Sequence, residues 1–356
     1  MPQESSPRSN RAWSSWPPWG GCWHGLASLP ACRRKISSAL ALYLQTSSNA
    51  RTIRRTVRRA PEVMVKVTGG ARKLGAVAAH FAYISANGEL EIETDEGERV
   101  SKEGQKALLK DWHLELSAGQ YREWRSEYAA RGVKLVHNIV LSMPSPTPPE
   151  KVLAAAKTFA REKFALNHRY AMALHTHQQH PHVHLVVKAE GVDGRRLHID
   201  KALLREWRQD FAQMMRDQGI AANATPRAVR GQSQRAPRDA AFRAEQRGRS
   251  HAMRREVESI AREISQTGTI RDPAHGKLLE TRKAVVARWM GIAATLDAQG
   301  EIVLAGDVRY FANHLPGVLT DRERLAEKLI QHLKGHVRSQ SREKDLVRDR
   351  AAERTR

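Results

Sequence analysis

The chain has 356 residues, 40% of them apolar, which is enough for a true core at a length that fits about two domains. Lys and Arg outnumber Asp and Glu by 60 to 38, a formal charge of +22 that favours a polyanionic partner, nucleic acid first and an anionic membrane surface second. The two cysteines, Cys22 and Cys32, lie too far toward the N-terminus to build a disulfide framework or thiolate metal site in the core, and no apolar run approaches the roughly 18 residues of a spanning helix, so a cytoplasmic protein without membrane insertion is expected.

Residues 1–60 are rich in Ser, Pro, Trp and Arg without helical or strand period, and read as a disordered basic segment. Order is expected from Pro61, where "EVMVKVTG" reads as a strand ended by Gly69-Gly70. A helix over 71–85 stops at "ANG"; "GELEIET" alternates as a strand turned by Asp95-Glu96-Gly97. Helices are predicted near 101–109, 118–131 and 149–166, and "KLVHNIVLSMP", "YAMALHTH" and "HPHVHLVVKAEG" are short apolar strands. "IDKALLREWRQDFAQMMRDQG" is a strongly periodic helix closed by Gly219. The expected fold over 61–225 is therefore α+β, a central antiparallel sheet flanked by helices. From Thr225 the composition shifts: "RAVRGQSQRAPRDAAFRAEQRGR" holds seven arginines against two acids, so 226–240 reads as an Arg-rich linker. A mainly helical region over 241–340 follows, with "EIVLAGD" as one candidate strand, and then a charged tail over 341–356.

"HTHQQHPHVH" puts five histidines within ten residues. If "YAMALHTH" and "HVHLVVK" are hairpin arms around a loop of Gln178, Gln179, His180 and Pro181, alternation gives His175 and His177 one face and His182 and His184 the matching one. A four-residue loop sets His177 opposite His182 and His175 opposite His184, with Cβ atoms about 4.5–5.5 Å apart. Protonated, such imidazoles repel; neutral, they form a nitrogen cage for a divalent ion. The bland reading is a solvated His-rich hairpin, disfavoured by repeated histidines at matching register in so basic a protein. Lys188 on the histidine face is a candidate phosphate contact, and Ser142 and His137 of "HNIVLSMP" are candidates to border the patch.

Phosphodiester chemistry beside a metal needs an attacking oxygen. Leu74, Val77, Ala78, Phe81 and Ile84 form the apolar stripe of the first helix, which leaves Tyr83 on the other side, flanked by Ala76 and Ala79. It is not a core aromatic by position. Tyr121 and Tyr128 on their own helix, and Tyr170 facing the core, look more ordinary.

"HFAYISANGELEIETDEG", "HNIVLSMP" and "HTHQQHPHVHLVV" follow in the order of the three motifs of conjugative relaxases. Over roughly 61–225 the chain resembles this mobilisation nuclease family of three-histidine HUH-type endonucleases, in particular the branch that nicks T-DNA. The resemblance implies a relaxase fold with Tyr83 as nucleophile, His175, His182 and His184 as ligands of Mg²⁺ or Mn²⁺, and a 5′-phosphotyrosyl intermediate at an origin of transfer. Its implied partners are single-stranded origin DNA, relaxosome accessory proteins and a type IV coupling protein, with export through a type IV system. The position of His177 is usually acidic in the family, so the carboxylate that would orient a ligand is missing there; His177 becomes an extra ligand, drawing the site toward Zn²⁺, or a hydrogen-bond partner. No general base is legible. The alternatives are a rolling-circle replication initiator, a non-catalytic basic DNA-binding remnant, and an amidohydrolase-type metallohydrolase, which the lack of eightfold strand–helix alternation disfavours.

Overall fold

A computed structural model of the protein describes residues 50–114, 133–178, 180–233, 251–270 and 272–335. The helix expected over 118–131, with Tyr121 and Tyr128, lies outside them, as do residues 1–49, most of the Arg-rich run and the tail.

The strands are β1 (Met64–Gly69), β2 (Ile92–Thr94), β3 (Arg99–Val100), β4 (Val136–Ser142), β5 (Tyr170–His175) and β6 (His182–Lys188). They form one sheet in the order β1-β4-β6-β5-β2-β3, antiparallel at every pairing. Alternation decides which side chains go where. Val183, Leu185 and Val187 of β6, with Ile139 and Leu141 of β4, face α4 (Pro149–Phe164) and α5 (Lys201–Asp217). There Phe159 meets Phe164, Trp207 and Phe211 edge to face at 5.8–6.1 Å, contacts that add about 0.5–1.5 kcal/mol beyond simple burial. α5 starts where the sequence signals it: the Asp200 side chain accepts from the Leu203 amide at 2.8 Å.

Val136, Ala171, Ala173 and Val186 point to the other face, toward α2 (Leu74–Ile84) and α3 (Gln105–Asp111). Val77, Phe81 and Ile84 are the buried stripe of α2, while Ala78, assigned to it from spacing, is exposed. The Asp95-Glu96-Gly97 turn joins β2 to β3, with Gly97 at φ +82°, where a side chain is strained. Arg169, entering β5, ties this hairpin down through Asp95 at 3.0 Å and Glu96 at 2.5 Å, and reaches Asp111 of α3 at 2.8 Å.

The C-terminal part is helical: α6 (His251–Thr267), α7 (Ala274–Ala298), α8 (Ile302–Asn313), and residues 321–335. Three expectations are corrected. "EIVLAGD" is the start of α8, not a strand, because Leu304, Ala305, Val308, Phe311 and Ala312 bury at helical spacing once the whole segment is counted. Residues 50–57 of the segment read as disordered form helix α1 (Ala50–Val57), whose Ile53 enters the core around Trp289. Finally, residues 226–233 are packed rather than a solvated linker: Val229 is buried in that core, its carbonyl accepts from the Trp289 indole at 2.9 Å, and the Gly231 carbonyl accepts from Arg282 at 2.7 Å. In both segments many arginines flank few apolar residues, and composition hides the one side that packs.

The start and end of the α+β unit meet. Val63 donates its amide to the Asn223 carbonyl at 2.9 Å, and Asn223 donates to Pro61 at 2.8 Å. Beside them Glu62 accepts from the Thr225 amide at 2.6 Å and pairs with Arg230 at 3.4 Å. Burial raises the Glu62 carboxyl, and Arg230, Thr225 and Asn223 oppose that rise.

Candidate active site

β5 and β6 carry the histidines on the face that α2 crosses. The ladder pairs His175 with His182 and Ala173 with His184, two residues away from the register expected of a four-residue loop. His175 is the last residue of β5, so the turn is longer and His177 lies beyond the ladder, exposed. A shift of two keeps every side chain on its face, so the cluster survives the correction. Rings of His175 and His184 lie 4.6 Å apart, His182 and His184 5.0 Å, and His175 and His182 5.2 Å. Ring nitrogens of these three lie within 4.8 Å of one another. His177 stands 5.0 Å from the His175 ring and 6.4 Å from that of His182.

The hydrogen bonds say which nitrogens are free. His175 Nε2 meets the Ile84 carbonyl at 2.6 Å, and His182 Nδ1 meets the His180 carbonyl at 3.0 Å. A carbonyl only accepts, so these nitrogens carry the protons and leave His175 Nδ1 and His182 Nε2 with lone pairs. Both nitrogens of His184 are buried without a partner. Burial drives His184 down to about 3, helped by the neighbouring imidazoles, and lowers His175 and His182 as well. Three neutral imidazoles whose ring nitrogens gather within 4.8 Å, one ring otherwise orphaned, fit a divalent cation. Two backbone carbonyls hold the rings as a carboxylate does in many metal sites.

Tyr83 is 51% exposed, and its ring stands 5.6 Å from His184, nearly perpendicular, and 6.4 Å from His175. The Ile84–His175 bond ties the end of its helix to this histidine. Sequence reasoning missed His80. One turn before Tyr83, it stacks on the phenol ring at 6.0 Å with its Nε2 buried and unpartnered, 6.3 Å from the His184 ring. The signal was there, since residues three apart on a helix are neighbours.

Ser142 is buried on β4 directly opposite His182. Lys188 ends β6 four residues past His184, about 13 Å along the strand, so it is not brought to the cluster. His137, expected to border the patch, faces the opposite side of the sheet, since it shares parity with Ile139 and Leu141. Burial, with the charge of Lys134 and Arg196 adding and a hydrogen bond at Leu197 opposing, pushes it down to about 4. Unfolded, it takes up a proton near pH 6.5. Its contribution to stability is therefore complete above about pH 6.5 and is lost as pH falls toward about 4, a decline of about 3 kcal/mol. Urea unfolding across that window should show a shallower decline for His137→Gln; equal slopes in variant and parent would assign acid sensitivity elsewhere.

Residues 83–220 match the family model described as "Relaxase: MobA/VirD2-like, nuclease domain". The chain is 26% identical over 194 residues to the T-DNA border endonuclease VirD2 of Rhizobium radiobacter, covering 49% of this chain and 44% of that protein. It is 25% identical over 213 residues to the T-DNA border endonuclease VirD2 of Agrobacterium fabrum, covering 54% and 46%, and 26% identical over 200 residues to that of Rhizobium rhizogenes, covering 51% and 44%. The matched region spans less than half the length of each relative.

Proposed function

Since residues 83–220 match the nuclease domain of MobA/VirD2-like relaxases, we propose that the chain nicks one DNA strand at an origin of transfer, with Tyr83 as nucleophile. The observation that carries this reading is the 5.6 Å approach of the half-exposed Tyr83 ring to His184, the histidine with two unengaged nitrogens.

The Tyr83 oxygen attacks the scissile phosphorus and the bond to the 3′-oxygen breaks. The phenol proton is released, the 3′-oxygen leaves as a hydroxyl, and a 5′-phosphotyrosyl bond remains. One phosphodiester replaces another, so resealing by the reverse path needs no nucleotide. His80, which lies beside Tyr83 with its Nε2 unpartnered and is not one of the three clustered histidines, is the proposed acceptor of the phenol proton once the phenol turns toward it. His175, His182 and His184 would hold Mg²⁺ or Mn²⁺, or Zn²⁺ as the nitrogen-preferring alternative. Such an ion supplies Lewis-acid polarisation of the scissile phosphate. Among the described residues no helix is long and apolar enough to cross a membrane. Accessory proteins, a type IV coupling protein and export with the DNA belong to the same proposal.

The test is incubation with Mn²⁺ and single strands tiled over the DNA flanking its gene, followed by a denaturing gel. A covalent protein–DNA adduct at one sequence and on one strand is expected; hydrolysis without an adduct would overturn the tyrosine mechanism. His177 gives a finer test. His177→Asp returns a carboxylate beside His175 and should nick at least as well as the parent, with His177→Ala slower than both by about tenfold. Three superimposed metal titrations would remove His177 from the site.

A further inference from the structure

The helical part leaves one side of α8 bare. Leu304, Ala305, Val308, Phe311 and Ala312 bury their side of the helix in the core around Trp289. On the opposite side Ile302, Gly306 and Tyr310 follow one another at four-residue spacing, with Val303 beside them. Ile302 is 61% exposed, Val303 78% and Tyr310 66%. A Cβ at Gly306 would meet nothing within 4 Å, so the stripe carries a notch at its middle. Isolated apolar residues at a surface are ordinary, but a run of them along two turns of one helix marks a contact face.

α1 fixes where the preceding chain arrives. Arg54 pairs with Glu301 at 3.6 Å, Arg58 with Asp307 at 3.5 Å, and Arg59 donates to the His314 carbonyl at 2.8 Å. α1 therefore runs parallel to α8, and Ala50, one turn before Arg54, lies at the end of α8 where Ile302 and Val303 are exposed. Asp307 follows Val303 by one turn and His314 follows Tyr310 by one turn, so α1 flanks the stripe. Residues 36–44, "ISSALALYL", carry no charge and precede α1 by the polar residues 45–49. Ile36, Leu40, Tyr43 and Leu44 recur at helical spacing, a local exception in an otherwise aperiodic stretch. A linker of this length suits an antiparallel helix pair. As a helix, residues 36–44 would extend about 13 Å, against about 12 Å from Ile302 to Tyr310.

We infer that residues 36–44 dock on this face of α8, turned back by residues 45–49 into a helical hairpin with α1. Leu44 then lies beside Ile302, and Ile36 beside Tyr310. The tether favours this occupant over a second copy of the chain, since a short linker holds its segment at an effective concentration on the order of millimolar. Length and apolar spacing match the stripe as well, and an uncharged segment costs little to desolvate against it.

The test is disulfide trapping in the full chain, with Cys22→Ser and Cys32→Ser removing the native thiols. A disulfide needs Cα atoms within about 7 Å, so a docked Leu44 reaches Ile302 and not Tyr310. Leu44→Cys with Ile302→Cys should form an intramolecular bond at least about tenfold faster than Leu44→Cys with Tyr310→Cys, whereas a free tether meets both at similar effective concentration. Equal rates, no disulfide in either pair, or disulfides only between chains would each overturn the docking, the last by assigning the face to a second copy. Limited chymotrypsin cleavage after Leu42, Tyr43 or Leu44 gives a second reading without new thiols. Val303→Asp should speed it by about tenfold through local opening. Val192→Asp, at a residue 82% exposed in the α+β unit, should leave it unchanged. Equal cleavage in the parent and both variants would overturn the docking.

Discussion

Tyr83→Phe is expected to bind single-stranded DNA as the parent does and to form no covalent adduct. The substitution removes one oxygen and keeps the ring that stacks on His80 and meets His184. Because the side chain is half-exposed and engages no core residue of α2, its stability should change by no more than about 0.5 kcal/mol. Loss of a nucleophile has no substitute in transesterification, so the rate of nicking should fall by about 10⁴-fold or more. Tyr310→Phe is the matched control, an exposed tyrosine on α8 far from the histidines in sequence and core. A denaturing gel for the adduct and anisotropy for binding separate the two effects. An adduct that persists in Tyr83→Phe would move the nucleophile elsewhere.

His184→Ala is the second large effect, and its sign differs between the metal-free and metal-bound protein. Both nitrogens of His184 are buried and unpartnered, a state that costs about 1–3 kcal/mol per stranded polar group. Removing the ring leaves a small cavity but relieves that cost, so the metal-free variant should melt close to the parent. With Mn²⁺ the parent gains stability, about 2.7 kcal/mol at a hundred times its Kd. The variant keeps two of three ligands and should show almost no gain, with nicking reduced by more than the roughly 10–100-fold typical of an outer-shell change. Thermal melts with and without Mn²⁺ measure this directly. An equal rise in both proteins would place the ion away from His184.

Much of the fold could be read because alternation is a strong signal. Val183, Leu185 and Val187 against His182 and His184 fix the two faces of β6 without knowledge of its neighbours. The pairing of β5 with β6 could not be read with the same security. A shift of two residues preserves faces, so the apolar pattern is blind to it, and only the turn conformation decides. The histidine cluster was therefore legible and its partners were not. His80 is hidden for another reason: the apolar stripe of α2 marks Val77, Phe81 and Ile84 as the packed side, and a histidine on the polar side of the same turn carries no period of its own. The packing of α1 and residues 226–233 depends on Ile53 and Val229, single apolar residues among arginines, whose burial against Trp289 is a long-range event that no local window contains.

The meeting of residues 61–63 with 223–225 makes the nuclease unit an insertion in the topological sense: the chain leaves the α1 region and returns to it through one narrow gate. Entry and exit are close enough for a short peptide to join them, with new ends opened at the exposed Glu96-Gly97 turn. Such a circular permutant would sever no pairing between β1, β4, β6 and β5. It would also detach the sheet from the helical part, so that the α+β unit could be carried between proteins as a cassette whose two ends lie side by side.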